Sequence, residues 1–360
     1  MKMEILPVLG IGEVAEGDDL AELIAHAAPW LRDGDVLVVT SKIVSKAEGR
    51  LVDVPVAEPD RSAAREEVLA AETARVVARR GATRIVQTHH GFVMASAGID
   101  ASNVDPKRLV LLPKDPDASA RSLRAALRER HGADVAVIVS DTMGRPWRNG
   151  LTDVALGAAG IGAVRDHRGA VDPYGNQLSI TQMAVVDELA GAGELVKGKI
   201  DQVPVAVVRG YLSRPEPTDG AGAAALVRDA ELDLFALGTA EARADGLRAA
   251  AILPESAGAP DGPDPTAVRR AIAAVAGVVA PGTELEPVTD PVVRAELAGA
   301  VPGWPAEATA AIVATLRGEP TAATLVRFGA DLHRLRAALA AEGLGSTLLL
   351  PPDGPALLAL

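Results

Sequence analysis

The sequence predicts a mixed α and β fold with several strands, and three observations predict it. Short apolar runs of strand length recur at Glu4–Val8, Val36–Val39, Val135–Val139 and Val203–Val208. Between them, apolar residues fall at helical spacing over longer stretches. Gly, Pro and Asp punctuate the junctions. Alternation of this kind belongs to layered folds with helices packed on sheet, and strand order is not legible in it.

In chain order, Glu4–Val8 is the first strand, and Asp18-Asp19 then offers a helix N-cap. Leu20, Leu23, Ile24, Ala27 and Leu31 follow at helical spacing, and Asp33-Gly34-Asp35 makes a turn. Val36–Val39 reads as a strand buried on both faces. Asp60 is expected to cap a second helix running through Arg80, with Val68, Ala71 and Val76 along its stripe. A third helix, from about Ala118 to Arg130, ends at Gly132 and feeds the strand Val135–Val139. The stretch from Val185 to Val196 is helical, and Val203–Val208 closes the series. Pro254, Gly258, Pro260, Gly262, Pro263 and Pro265 then crowd together as a linker. Beyond them, Ala267–Val279 and Leu332–Ala341 read as helices.

Composition narrows the function. With 48% hydrophobic residues a packed core is within reach, so wholesale disorder is excluded. There is no cysteine, which removes disulfides, thiolate metal sites and thiol nucleophiles together. A net charge of −12 argues against a general nucleic-acid binder. The N-terminal MKMEILPVLGIGE is broken by Pro and Gly before a signal-length apolar run develops, and no stretch approaches the ~20 apolar residues of a membrane helix. The expectation is a cytoplasmic protein without a membrane partner.

Three segments follow buried-strand signals and gather small, polar and charged residues. The first runs from Thr40 to Arg50, with Ser41, Lys42, Lys46 and Arg50. Hydroxyls with cations just beyond can serve phosphate oxygens, although a solvated loop exit uses the same residues. The second is Ala97–Asp105, where Asp100 and Asn103 offer hard oxygens to Mg²⁺ or Mn²⁺. An Asx-turn bonding its own backbone is the alternative. The third is Ser140–Gly150. Here the preceding strand delivers Asp141 and Thr142 to its carboxyl end, where ligands often bind in α/β folds. Asp141 and Thr142 suit a metal, and Arg145 with Arg148 suits phosphate or carboxylate; a capped turn remains open.

Other features carry little. No G-x-x-x-x-G-K-[ST] loop exists, so a nucleotide needs another cradle. Gly157–Gly162 lacks dinucleotide spacing and reads as a tight turn. His89 and His90, adjacent in an extended chain, point to opposite faces and do not suit one ion.

Taken together, the three segments are specific. The sequence resembles the coenzyme F420-0:L-glutamate ligase family, including the N-terminal domain of its two-domain actinobacterial members. The resemblance rests on Ile5–Val8, Gly17–Leu20, Asp33–Arg50, Ala97–Val104 and Ser140–Gly150. It continues through Asp172–Gly175, Ala184–Glu188, Lys197-Gly198-Lys199 and Val207–Gly210, and it holds from Met1 to about Gly246. It implies a metal- and GTP-dependent ligase that activates a carboxylate as an acyl phosphate and joins it to the amine of L-glutamate, with γ-links on extension. The acceptor is F420-0 or its dehydro precursor. It implies a guanine-nucleotide site at Ile11, Gly12, Glu13, Val14, Ser41, Lys46 and Asn103, and metal ligation by Asp100, Asp141 and Thr142, Mg²⁺ or Mn²⁺ serving. Asp141 and Arg145 are the residues expected to carry catalysis. At Gly12-Glu13 relatives often carry Pro and an apolar or acidic residue, so contacts there fall to the backbone. The family is known as a homodimer.

The expected domains are a ligase domain over 1–246, a linker over 247–266 and a tail over 267–360. Arg327–Leu350, with Gly343–Ser346, resembles the end of the nitroreductase-like domain of longer members. The fold expectation is therefore α+β, with a small degenerate nitroreductase-like α+β domain at the C-terminus. Few residues remain for a complete domain, and Trp304 and Phe328 are the aromatics there, so no FMN is expected. A bifunctional ligase with FMN-dependent reductase activity, or a non-catalytic nucleotide-binding protein, are the competing readings.

Overall fold

The computed structural model describes residues 2–102, 104–198, 201–256, 262–288, 290–352 and 354–360. They form two compact units, Met1–Glu241 and Ala242–Leu360.

The first unit is built on a five-stranded sheet in the order Glu4–Pro7, Val205–Arg209, Val36–Thr40, Ala136–Arg145, Arg148–Ala159. Val36–Thr40 and Ala136–Arg145 are parallel, and the other pairs are antiparallel. The Val36–Val39 run is continuous because both of its faces are covered. Leu37 and Val39 join Ile24, Leu123 and Leu127 from the helices Leu20–Ala27 and Pro116–His131. Val36 and Val38 join Val186, Leu189 and Ala190 from the helix Val185–Lys197. Two glycines allow this layering. A Cβ at Gly157 would sit 2.1 Å from the carbonyl oxygen of Pro116, and one at Gly193 would sit 2.8 Å from Val38 Cβ.

Asp19 caps its helix as expected, accepting from the N–H groups of Ala21 (3.0 Å) and Glu22 (3.2 Å). That helix stops at Ala27 rather than running to Leu31, because Pro29 has no N–H to continue the ladder. Asp115 caps Pro116–His131, and Gly132 ends it at φ 67°.

Between the two parallel strands lies an insertion with its own small core of Val54, Leu69, Val86, Ile99 and Leu109. Here the expected helix from Asp60 to Arg80 is corrected. The helix is Asp60–Ala71, its cap position is Pro59, and Thr73–Arg80 is a strand paired with Thr83–Thr88. Gly81, at φ 58°, turns the chain and lets Val76 pair with Val86. Cross-strand pairing outweighed the helical spacing of Val68, Ala71 and Val76.

Two more expectations change. The segment Thr40–Arg50 is largely helical, Ser41–Ala47, and Ser140–Gly150 is mostly a hairpin continuing the strand rather than a loop. Gly157 lies within a strand; the turn comes at Gly160, φ 74°.

The second unit has an antiparallel sheet in the order Thr283–Val288, Ala311–Leu316, Ala356–Ala359, Thr347–Leu349. Helices Pro265–Val275 and Ala322–Ala341 cover one face through Val268, Ala271, Leu335 and Leu339. Leu297 and Trp304 pack on Leu349 and Leu357 of the other face. Of the expected linker 247–266, residues up to Ala251 belong to the helix Thr239–Ala251, and 257–261 lie outside the described residues. Both units are mixed α and β, as expected.

Candidate active site

The carboxyl ends of the two parallel strands open onto one cleft of about 390 Å³. Val36–Thr40 passes directly into the helix Ser41–Ala47, whose Lys42 and Lys46, four residues apart, share its cleft-facing side. Lys42 Nζ bonds Asp100 Oδ2 at 2.7 Å, tying this helix to the insertion. Lys46 Nζ meets Glu13 Oε1 at 2.5 Å, so the Ile11–Val14 segment forms one wall.

Asp100 does make the Asx-turn: Oδ1 accepts from Ser102 N at 2.7 Å and Oδ2 from Ser102 Oγ at 3.0 Å. It lines the cleft as well, so the two readings of this segment are compatible. Burial pushes its carboxyl up, but the hydrogen bonds from Lys42 and Ser102 outweigh that and hold it below the usual carboxylate range.

Ala136–Arg145 brings Asp141 and Thr142 to the cleft, with Asp141 Oδ1 accepting from the Thr142 N–H at 2.8 Å. The neighbouring strand contributes Asp153, directly opposite Thr142 in the ladder. A bulge at Leu156 sets this face: Ala158 and Ala155, three apart, both enter the core under the helix Val185–Lys197. Asp153 continues on that side and meets the last residue of the helix. Lys197 Nζ lies 2.8 Å from Asp153 Oδ2, 3.0 Å from Ser140 Oγ and 3.3 Å from both Thr40 Oγ1 and Glu194 Oε2. Its side chain is 1% exposed and that of Asp153 is 2%.

Of the residues named from the sequence, the structure gathers Ile11, Gly12, Glu13, Val14, Lys46, Asp100, Asp141 and Thr142 around this cleft. Ser41 is buried, and among the described residues it does not line the cleft. Arg145 is exposed beside Arg148 at the hairpin tip and does not line it either. Asn103 lies outside the described residues. His89 and His90 sit elsewhere, with their Nε2 atoms against the carbonyls of Ala71 and of Pro113 and Lys114. Asp153, Glu194 and Lys197 belong to the cleft and were not picked out as site residues from the sequence. The signal for Lys197 was its place on the apolar stripe of Val186, Ala190 and Gly193; for Asp153 it was a carboxylate inside the run Leu151–Leu156.

Comparison with known proteins decides the family. The model of the F420-0:gamma-glutamyl ligase family matches residues 9–210, more than half of the chain and all of the cleft's described lining. The chain belongs to the F420-0:gamma-glutamyl ligase family. Among this family's curated members, the coenzyme F420:L-glutamate ligase of Methanothermobacter thermautotrophicus is 41% identical over 252 residues. That match covers 65% of this chain and 99% of the relative. The enzyme of the same name from Methanopyrus kandleri is 42% identical over 246 residues, covering 65% and 97%. The one from Haloarcula marismortui is 43% identical over 249 residues, covering 64% and 95%. About a third of this F420-0:gamma-glutamyl ligase family member therefore lies beyond what these relatives contain.

The donors in the cleft are hard oxygens, the type that Mg²⁺ and Mn²⁺ select. Among the described residues no three His, Asp or Glu side chains converge as a metal cage. Two carboxylates and a hydroxyl nevertheless fit a cation that completes its shell with water and substrate phosphate, as Mg²⁺ commonly does.

Proposed function

We propose that this chain is a GTP- and divalent-metal-dependent ligase that adds L-glutamate to coenzyme F420-0 or its dehydro precursor, with γ-links on extension. The observation that carries this is a cleft within the family-matched segment that Lys42, Lys46 and Lys197 line together with Asp100, Asp141 and Thr142. A carboxylate resists an amine because it is anionic and has no leaving group. Transfer of the GTP γ-phosphoryl group to that carboxylate releases GDP and creates an acyl phosphate. The glutamate nitrogen then attacks the acyl carbon, phosphate leaves, and the nitrogen loses a proton.

The cleft's own residues divide this work. Lys46, on the wall shared with Ile11–Val14, supplies countercharge to the nucleotide phosphates. Asp100, Asp141 and Thr142 would hold the divalent cation, which when bound supplies charge neutralisation during phosphoryl transfer. Arg145, expected as a catalytic residue, stands on the hairpin tip, and a role for it requires substrate that reaches beyond the cleft.

The chain is further proposed to act as a cytoplasmic homodimer, and sedimentation tests the dimer. Trp147, 74% exposed and in edge contact with Phe235, and exposed Leu151 offer a second copy apolar surface. No described helix is long and apolar enough to cross a membrane. The second unit is proposed to be a shortened nitroreductase-like remnant that binds no FMN. In support, Trp304 and Phe328 pack against the unit's own cores. A yellow preparation carrying stoichiometric FMN would restore the bifunctional reading.

The deciding experiment is mass spectrometry of F420-0 after incubation with the protein, GTP, Mn²⁺ or Mg²⁺ and L-glutamate. Glutamyl mass increments that require both GTP and metal are expected. Their absence with folded protein and verified substrate rejects the ligase.

A further inference from the structure

The buried ion pair at the floor of the cleft has a geometry that goes beyond holding the fold together. Asp153 divides its two oxygens. Oδ2 receives Lys197 Nζ at 2.8 Å and the Ser140 hydroxyl at 2.8 Å, while Oδ1 receives the Thr142 hydroxyl at 3.0 Å. A threonine hydroxyl has one proton and two lone pairs. With the proton committed to Asp153, the lone pairs are left for another partner, and Thr142 lines the cleft.

We propose that Asp153 is a positioning residue that turns the Thr142 hydroxyl into a fixed oxygen donor for a divalent cation, with Lys197 holding Asp153 in place. This rests on the proposed metal-dependent reaction. The Lys197 ammonium and the Ser140 hydroxyl both hold Oδ2, and 1% and 2% side-chain exposures keep water from exchanging with them, so Oδ1 stays aimed at the Thr142 hydroxyl. Partners of this kind orient the ligands of many metal sites, and their loss typically weakens metal binding about 10- to 100-fold.

Asp153→Asn separates this role from simple packing. The amide oxygen is drawn to the Lys197 ammonium, so the amide N–H₂ faces Thr142 and donates into the lone pairs that the cation needs. The test measures Mn²⁺ binding to the full chain by electron paramagnetic resonance of the free ion, together with the KM for Mn²⁺ at saturating GTP. Four proteins are compared: wild type, D153N, T142V and D153N/T142V. D153N is expected to weaken Mn²⁺ binding about tenfold or more, and to add nothing once Thr142 has become valine. T142S, which keeps the hydroxyl, should retain most of the affinity. An equal loss from D153N in both backgrounds, or no loss in either, overturns the positioning role and leaves the ligase reading standing. A wild-type protein that takes up no Mn²⁺ by either readout sinks the metal reading and this inference with it. Should D153N fail to fold, K197M/D153L, an apolar pair that leaves the Thr142 hydroxyl proton without its acceptor, carries the same comparison with and without T142V.

Discussion

Replacing Lys197 by methionine removes one charge from a pair that water does not reach, the two side chains being 1% and 2% exposed. Asp153 would then be left as a buried carboxylate facing the Ser140 and Thr142 hydroxyls alone. Removing one partner of a buried pair costs about 3–5 kcal/mol. Two hydroxyl donors remain to satisfy the carboxylate, which places the expected loss near the lower figure, about 3 kcal/mol. In a unit the size of Met1–Glu241, that corresponds to a fall of about 6–12 °C in its melting temperature. Scanning calorimetry of the full chain reads it, provided that the two units' transitions are resolved. K197M/D153N, which leaves two neutral side chains, should recover more than half of the loss, because the cost comes from an uncompensated charge rather than a missing contact. A K197M protein within about 2 °C of wild type, or a double variant no better than the single, would refute this account.

Gly157→Ala places a Cβ 2.1 Å from the Pro116 carbonyl oxygen, so strand and helix must part. A loss of about 3 kcal/mol or more in urea unfolding is expected, and a wild-type midpoint would count against it. Asp19→Ala removes a helix cap and should cost about 1 kcal/mol near neutral pH. The hydrogen bond from Arg130 holds the Asp19 carboxyl at about 2, below its ordinary value of 3.8. Its contribution is therefore complete above about pH 4 and fades as pH falls toward about 2, so the gap between wild type and D19A should close over that interval. A gap that widens in acid contradicts the assignment. Asp141→Asn should reduce glutamate addition to background with an almost unchanged melting temperature, and retained turnover with unaltered metal dependence removes Asp141 from the site. Lys46→Ala should weaken GTP binding about ten- to a hundredfold, the worth of one hydrogen bond to a charged group; calorimetric titration showing wild-type affinity would exclude that role.

Much of the first unit was legible because its signals are local. The runs Val36–Val39 and Val135–Val139 carry their burial in their own composition, and Asp19 and Gly132 mark helix ends by their own backbone chemistry. The stretch after Asp60 was misread for the opposite reason. Val68, Ala71 and Val76 satisfy a helical period, but the residues after Thr73 are held by partners across Gly81 that no helical window weighs. Trp304 and Phe328 in the tail were visible as scarce aromatics, while their packing against separate cores was not.

The site divides along the same line. The sequence by itself determined which residue types were available: lysines after one buried strand, an Asp-Thr pair after another, and no thiol. Those are properties of short segments, and through family resemblance they determined the class of enzyme. Only the tertiary structure decided that Lys42 meets Asp100, 58 positions away, and that Lys197 reaches Asp153 across two elements. A bulge at Leu156 and the close approach allowed by Gly193 set which face each residue takes. Burial of a charge depends on what packs over it, and that is a property of the assembled sheet and helices rather than of any stretch of chain.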